Sequence, residues 1–192
     1  MTTTSSMMQT GPHKDALLRK VISQGLPKMN QHQQYIVNQY CAQEDGEVSF
    51  IVNESEFPRN VGLTVTINSI AIAEWLINDG LDIVVIANTM RIAHCNFSYA
   101  VQKFANEMRI SDTKTRCSSY TNYQHNNLQQ DILKKGSNRV RIVPASSDHR
   151  GYRDVDLLIY EHHRTNSAIS NKIRDAIAYN YNPKRIIMTL SQ

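Results

Sequence analysis

Residues 48–64 read VSFIVNESEFPRNVGLT, and this stretch decides the fold class. Residues 48–52 form a short run of mostly apolar and β-branched residues, which is typical of a strand. The segment Pro58-Arg-Asn-Val-Gly62 that follows is typical of a turn. Apolar residues then recur at helical spacing over residues 64–78, at Ile67, Ile70, Ala71, Trp75 and Leu76. A strand, a glycine-containing turn and a helix in this order predict the first unit of an α/β domain.

The same alternation continues on both sides of this unit. Apolar runs predict strands over residues 82–87, 139–143, 156–160 and 185–190. Helical spacing predicts helices over residues 13–24, 30–43, 91–108 and 165–179, with Leu17, Leu18, Val21, Ile22, Tyr35, Ile36, Val37 and Tyr40 as the apolar positions of the first two. Strands that alternate with helices predict a largely parallel sheet with helices on both faces.

Composition limits the class of protein. The chain has 192 residues, of which 41% are hydrophobic and 20% charged, as expected for a globular domain. The net charge of +4 and the pI of about 9.0 are mildly basic and permit contact with nucleic acid. No apolar run approaches the roughly 18 residues that a membrane span needs. We expect residues 1–12 to be a flexible tail and residues 13–192 to be a single domain.

Five collinear segments resemble those of a known family, the ATPase domain of the large terminase subunit, which packages DNA into viral capsids. The segments are Pro58–Thr64, Asp82–Ala93, Arg139–Ser146 with the Arg150-Gly151 turn, Asp156–His162, and Arg185–Ser191. The resemblance implies a P-loop NTPase-like fold with ATP and Mg²⁺ as cofactors. It implies DNA or a viral packaging protein as partner, an oligomer, and a place in the host cytoplasm or the virion. The family's nuclease domain is not expected within these 192 residues.

The segment Pro58–Thr64 is similar to the family's phosphate loop, Arg-x-x-Gly-Lys-Thr. The resemblance assigns Arg59 and Gly62 to the phosphates and Thr64 to both the phosphates and Mg²⁺, but Leu63 stands at the lysine position. A lysine at this position neutralises the β- and γ-phosphates, and Leu63 cannot supply that charge. Arg59 could compensate in part, because arginine binds phosphate well. The alternative is that Gly62 only forms a strand-to-helix turn.

The segment Asp156–His162 stands where the family has an apolar strand that ends in two acids. Glu161 takes the position of the acid that holds Mg²⁺, and His162 takes the position of the carboxylate that activates water. The carboxylate of Glu161 could hold Mg²⁺ through water, and His162 could act as a base near neutral pH. The alternative is that both residues only end a strand and face solvent.

Basic residues cluster in sequence near the third and fourth predicted strands of this family pattern. The cluster comprises Lys134, Lys135, Arg139, Arg141, Arg150 and Arg153. These side chains could contact a phosphate backbone, or they could form a solvated face.

These features together favour a catalytically degenerate terminase-like ATPase domain of viral origin, which acts as a structural, regulatory, nucleic-acid-binding or partner-binding protein. Two alternatives stay open. One is an active DNA-packaging or helicase-like ATPase in which an arginine replaces the missing lysine. The other is a nucleotide binder that does not hydrolyse ATP.

Overall fold

Among the described residues, six strands form one sheet, and three helices cover one of its faces. The computed structural model describes residues 12–43, 49–87, 100, 130–135, 138–145, 154–161 and 181–190. Within these ranges the helices are α1 (Pro12–Gly25), α2 (Gln31–Cys41) and α3 (Leu63–Ile77). The strands are β1 (Ser49–Asn53), β2 (Asp82–Ala87), β3 (Gln130–Lys135), β4 (Asn138–Pro144), β5 (Leu157–Glu161) and β6 (Arg185–Leu190).

The strand order is β1-β6-β5-β2-β4-β3, and every neighbouring pair except β3 with β4 is parallel. This confirms the prediction of a largely parallel sheet. Strand β3 was not predicted, because its sequence QDILKK is mostly polar and lacks an apolar run. Only Gly136 and Ser137 separate β3 from β4 in sequence, and a connection of two residues suits an antiparallel pair.

Both faces of the central strands are buried, as the continuous apolar runs predicted. Alternate residues of the strands point to opposite faces, so two core clusters form. Residues Ile83, Val85, Leu157 and Ile159 join the cluster that includes α1, α2 and α3. Residues Val84, Ile86, Leu158 and Tyr160 join a second cluster with Tyr181. The predicted helices over 91–108 and 165–179 lie outside the described residues, except for Ala100, which is helical and buried in the first cluster.

Helix α3 is buried on all sides over Thr66–Trp75. A helix that is apolar around its whole circumference belongs in the core rather than at the surface. The predicted inward residues of this helix are buried, with Leu76 partly buried against the same cluster. Because α3 cannot move without disturbing the core, the residues at its N-terminus are held in fixed positions relative to the sheet.

Two residues predicted on the apolar faces of α1 and α2 are exposed instead. The side chain of Leu17 is 43% exposed and that of Tyr35 is 53% exposed. In α1 the buried stripe consists of Leu18, Val21 and Ile22, and Leu17 lies at its edge. In α2, Tyr35 lies about 100° around the helix from Ile36 and packs against Phe57, with 6.2 Å between ring centroids.

A buried polar network joins α2, α3 and the start of β6. The carboxylate of Glu74 is fully buried, and its Oε1 accepts hydrogen bonds from the Tyr40 hydroxyl at 3.0 Å and from Arg185 Nη1 at 3.3 Å. Its Oε2 accepts from Asn78 Nδ2 at 2.8 Å. The Arg185 guanidinium also lies over the Tyr40 ring, 5.5 Å from its centroid. These contacts compensate a carboxylate that would otherwise be costly to bury.

Ion pairs tie together the amino ends of the parallel strands. The Arg141 Nε donates to Asp82 Oδ1 at 3.1 Å, and its Nη2 pairs with Asp82 Oδ2. The Asp156 carboxylate accepts from the Asp82 backbone N–H at 2.8 Å and pairs with Lys184 at 2.7 Å. Arginine that binds a carboxylate through two nitrogens fixes geometry as well as charge, so these contacts set the alignment of β2, β4 and β5.

Replacement of Tyr40 by Phe tests the buried network. The Tyr40→Phe substitution removes the hydroxyl that donates to Glu74 and accepts from Arg185 Nη1 at 3.2 Å. We expect the free energy of unfolding to fall by about 1–3 kcal/mol, because a buried acceptor loses a partner. Tyr35→Phe is the matched control on the same helix and should change it by less than about 0.5 kcal/mol. Urea unfolding of both variants measures the difference, and equal effects would contradict the assignment.

The pH dependence of stability supplies a second test of the same residue. Burial raises the pKa of the Tyr40 hydroxyl well above 10.0, and the nearby Glu74 raises it further, against the opposing effect of Arg185. In the unfolded chain Tyr40 ionises near pH 10, whereas in the folded chain it stays neutral. The neutral hydroxyl therefore makes its full contribution to the free energy of unfolding below pH 10. Above pH 10 that contribution falls by about 1.4 kcal/mol per pH unit. The difference in unfolding free energy between wild type and Tyr40→Phe should stay constant up to about pH 10 and narrow above it, and a difference that is also constant above pH 10 would refute this.

Candidate phosphate-binding site

The segment that joins β1 to α3 forms a loop at the carboxyl end of β1. A short 3-10 turn, Glu54–Glu56, follows the strand. Residues 57–61 then lead to Gly62, which is the N-cap of α3. Leu63 and Thr64 are consequently the first two residues of the helix. Strand, loop and helix are placed as a phosphate loop requires, with the glycine directly before the helix.

The backbone of the loop alternates between negative and positive φ. The φ angle is 64° at Asn60 and 83° at Gly62, whereas Val61 between them is not in the positive-φ region. Asparagine tolerates this region better than most residues, and glycine adopts it without steric cost. Alternation of this kind turns successive backbone N–H groups toward one side and forms a concave site for an anion.

The N-terminus of α3 faces a pocket of about 530 Å³. No side chain caps this helix, because Gly62 has none to offer. The N–H groups of Leu63, Thr64 and Val65 precede the first helical hydrogen bond, in which Thr66 N–H donates to the Gly62 carbonyl at 3.0 Å. The pocket is lined by Glu54, Phe57, Pro58, Arg59, Asn60, Val61, Gly62, Leu63, Thr64 and Val65. Uncapped N–H groups and the positive end of the helix dipole both attract an anion.

The side chains that the sequence assigned to this site divide into two groups. Arg59 is exposed and lines the pocket, as does the partly buried Thr64. Leu63 is partly buried and packs against the core cluster of α1, α2 and α3. The residue at the lysine position therefore contributes to the core. Glu54 also lines the pocket, and its acidic side chain was not expected there.

Helix α2 packs closely against the loop. The Asn30 Nδ2 donates to the Val61 carbonyl at 3.0 Å. The Gln33 Nε2 lies 2.8 Å from the position that a Cβ on Gly62 would occupy. Positive φ would strain any other residue at position 62, and its Cβ would also have to displace the end of the Gln33 side chain, so the backbone favours glycine here.

Glu161 ends β5 at the same edge of the sheet as the loop. Thr189 of β6 pairs with Glu161 on one side, and the adjacent Leu190 pairs with Asn53 of β1 on the other. Strand β6 thus separates β1 from β5, which places their ends about 10 Å apart. The Glu161 side chain and the whole of His162 lie outside the part of the chain that the structure describes.

The basic residues that the sequence grouped together lie elsewhere. Lys134 of β3 pairs with Arg139 at the start of β4, and Lys135 pairs with Asn138. Because β4 is parallel to β2, these positions lie at the amino ends of the parallel strands, opposite to the loop. Arg141 is only 5% exposed and pairs with Asp82, which is the environment of a structural ion pair. Arg150 and Arg153 lie outside the described residues.

The contribution of α2 to the site was not predicted from the sequence. Asn30 and Gln33 form a capping box, in which each side chain accepts a hydrogen bond from the other residue's backbone N–H. The spacing of an N-cap residue and a glutamine three positions later is a recognisable signal for a helix start. This spacing predicts where α2 begins, but it does not predict that Asn30 and Gln33 contact Val61 and Gly62 of the loop.

Two further properties concern only the described part of the chain. No helix there is long and apolar enough to cross a membrane. Within the same residues, no group of three or more His, Cys, Asp or Glu side chains is placed to hold a metal ion.

A largely parallel sheet and a glycine loop at the N-terminus of a buried helix define an α/β fold of the P-loop NTPase type. The fold is similar to that of the large terminase ATPase domain of Thermus phage P74-26, with a TM-score of 0.55 and 15% sequence identity. The match covers 88% of this chain and 68% of that chain. An arginine-to-alanine variant of the same phage domain matches with a TM-score of 0.53, 14% identity and the same coverage. No protein-family description and no curated protein sequence matches the chain. The terminase-like fold expected from the sequence is thereby confirmed.

Substitution of Gly62 by Ala tests the two constraints on the loop. We expect Gly62→Ala to lower the free energy of unfolding by about 1–3 kcal/mol, because an L-residue is strained at φ 83° and its Cβ meets Gln33. Urea unfolding of Gly62→Ala, Gln33→Ala and the double variant separates the two causes. Removal of Gln33 should relieve only the steric part, so the double variant should be more stable than the sum of the single effects predicts. Strict additivity would show that Gln33 does not constrain residue 62.

Proposed function

We propose that this chain is a catalytically degenerate terminase-like ATPase domain that binds a phosphate-bearing nucleotide without efficient hydrolysis. In this proposal the nucleotide holds the domain in shape, and the domain acts as a structural or regulatory partner-binding protein. The observation that carries the proposal is the pairing of an intact loop geometry with Leu63 in the place of the charged residue.

Phosphate binding is supported by the backbone rather than by side chains. Positive φ at Asn60 and Gly62, an uncapped N-terminus of α3 and an adjoining pocket of about 530 Å³ together suit a phosphate group. None of these features depends on the missing lysine. Glu54 in the pocket wall opposes a bare anion, and a divalent cation bound with the nucleotide would remove that repulsion.

Loss of hydrolysis is supported by the chemistry of the first turn of α3. Phosphoryl transfer depends on fixed positive charge around the transferring group. The Leu63 side chain supplies none and packs against the core, so a single electrostatic contribution of about 3 kcal/mol or more is missing. At the other side of the site, Glu161 could hold Mg²⁺ together with Thr64, and His162 replaces the expected second acid.

A working ATPase is the second candidate, and one observation favours it. Arg59 is exposed and lines the same pocket as Gly62 and Thr64. A guanidinium there could contact phosphate oxygens through two nitrogens and supply the missing charge. This candidate predicts nucleotide turnover that depends on Arg59.

The cellular setting follows from the same likeness. The solved relative is a phage terminase domain, so we propose a viral origin and action in the host cytoplasm or the virion. DNA or a packaging protein is the proposed partner. If DNA is bound, Lys134, Lys135 and Arg139 at the opposite end of the sheet from the loop are the candidates to contact its backbone.

Restoration of the lysine tests the proposal. We expect wild type to bind Mg²⁺-ATP in isothermal titration with turnover at background level. Leu63→Lys should raise the rate of ATP hydrolysis, by up to about a hundredfold if the rest of the site is competent. Leu17→Lys is the matched control, because it adds the same charge at a residue that is exposed on α1 and does not line the pocket. Its rate should equal that of wild type.

The remaining outcomes distinguish the candidates. Turnover by wild type that disappears in Arg59→Ala would establish the working ATPase and overturn the degenerate one. No detectable binding of nucleotide at roughly millimolar concentration, which means a binding free energy weaker than about −4 kcal/mol, would overturn nucleotide binding altogether. Binding by wild type with no gain in Leu63→Lys would place the defect also at His162 or in the geometry of the site.

A further inference from the structure

The first turn of α2 contacts the phosphate loop at two successive residues. We propose that Asn30 and Gln33 are positioning residues that hold the Val61–Gly62 peptide in its anion-binding orientation, so that phosphate binding is coupled to the docking of α2. The inference rests on the phosphate binding proposed above and adds the element that controls it. Neither residue touches the phosphate in this account.

Asn30 uses both ends of its side-chain amide. Its Oδ1 accepts from the Gln33 backbone N–H at 2.9 Å and caps α2. Its Nδ2 donates to the Val61 carbonyl at 3.0 Å. Aspartate or serine would serve equally well as an N-cap, but neither offers an amide N–H to a carbonyl at that distance. The choice of asparagine is therefore explained by the contact with the loop and not by the cap alone.

Gln33 completes the contact from the other side of the capping box. Its Oε1 accepts from the Asn30 backbone N–H at 3.1 Å, which directs the amide nitrogen toward Gly62. That nitrogen lies 2.8 Å from the position that a Cβ of residue 62 would take. The capping box thus places the Gln33 side chain directly against Gly62.

The contacts fix both peptide planes that flank Gly62. A trans peptide is planar, with its C=O and N–H pointing in opposite directions. The bond from Asn30 to the Val61 carbonyl therefore sets the direction of the Gly62 N–H, which points away from α2. The Gly62 carbonyl accepts from the Thr66 N–H at 3.0 Å and from its hydroxyl at 2.9 Å, which sets the direction of the Leu63 N–H. Helix α3 controls one plane and helix α2 the other.

Coupling follows from this division. The bond from Asn30 favours the loop conformation that binds phosphate, so phosphate binding must favour the docked position of α2 to the same degree. Glycine and asparagine at positive φ have other conformations within reach, and the contact from α2 restricts them.

The variant Asn30→Ser isolates the contact. Serine keeps a neutral N-cap for α2 but lacks the amide donor and the length to reach the Val61 carbonyl. Gln34→Ala is the matched control: it removes a side-chain amide that donates to the Met29 carbonyl at 3.0 Å in the same turn and does not touch the loop. Two measurements follow on the full chain: titration with inorganic pyrophosphate in the presence of Mg²⁺, and NMR relaxation order parameters of the Gly62 and Leu63 amides without ligand.

We expect Asn30→Ser to weaken pyrophosphate binding about fivefold, the size expected from one hydrogen bond, and to lower the order parameter of the Gly62 amide below its wild-type value. Gln34→Ala should match wild type in both measurements, and the two variants should share an unfolding midpoint in urea. An unchanged order parameter in Asn30→Ser, or the same change in Gln34→Ala, would overturn the proposal. If wild type binds no pyrophosphate in the presence of Mg²⁺, phosphate binding as a function fails, while the order parameter still decides whether α2 positions the loop.

Discussion

The rest of the structure depends on the hydrogen bonds and the ion pair that the buried Glu74 carboxylate makes. It lies on α3 and is held by Tyr40 of α2 and by Arg185 at the start of β6. Loss of the charged partner from a buried ion pair, here Arg185, costs about 3–5 kcal/mol, so these three elements are constrained to one arrangement. The same elements carry the candidate site at their other ends. Helix α2 contacts the loop, α3 begins at it, and β6 separates β1, which precedes the loop, from β5, which ends in Glu161. The network therefore fixes the frame in which the site is built, although it lies far from the pocket.

The position of β6 explains how the two halves of the site meet. Parallel strands bring their carboxyl ends to one edge of the sheet, and ligands of open α/β sheets bind at that edge. The loop after β1 and Glu161 at the end of β5 both lie there, on either side of β6. The described members of the predicted basic cluster, Lys134, Lys135, Arg139 and Arg141, lie on the strands toward the opposite edge, where Arg141 pairs with Asp82. Nucleotide and nucleic acid, if both bind, would occupy opposite ends of the sheet.

The candidate site combines a loop backbone suited to an anion with a leucine at the first position of α3. The backbone geometry depends on residues 60–62, on the capping box of α2 and on the burial of α3, all of which contribute to the stability of the fold. The Leu63 side chain packs against the core and supplies no charge to the pocket. Packing therefore selects the loop conformation without a charged side chain at residue 63.

The sequence by itself determined the α/β class, the bounds of α3, β2 and β6 to within a residue or two, and the position of Gly62 between strand and helix, because periodicity and turn chemistry are local properties. It could not determine that β3 pairs antiparallel with β4, since the polar QDILKK becomes a strand only through its neighbour. It counted Leu17 and Tyr35 among the apolar positions of α1 and α2, but the packing of these helices against α3 leaves both side chains exposed. The support of the loop by Asn30, the burial of Arg141 and the separation of the basic residues from the loop were decided by tertiary structure alone. Each of these three features depends on residues that are far apart in sequence. The order of the strands decides which of those residues meet, and no local sequence pattern encodes that order.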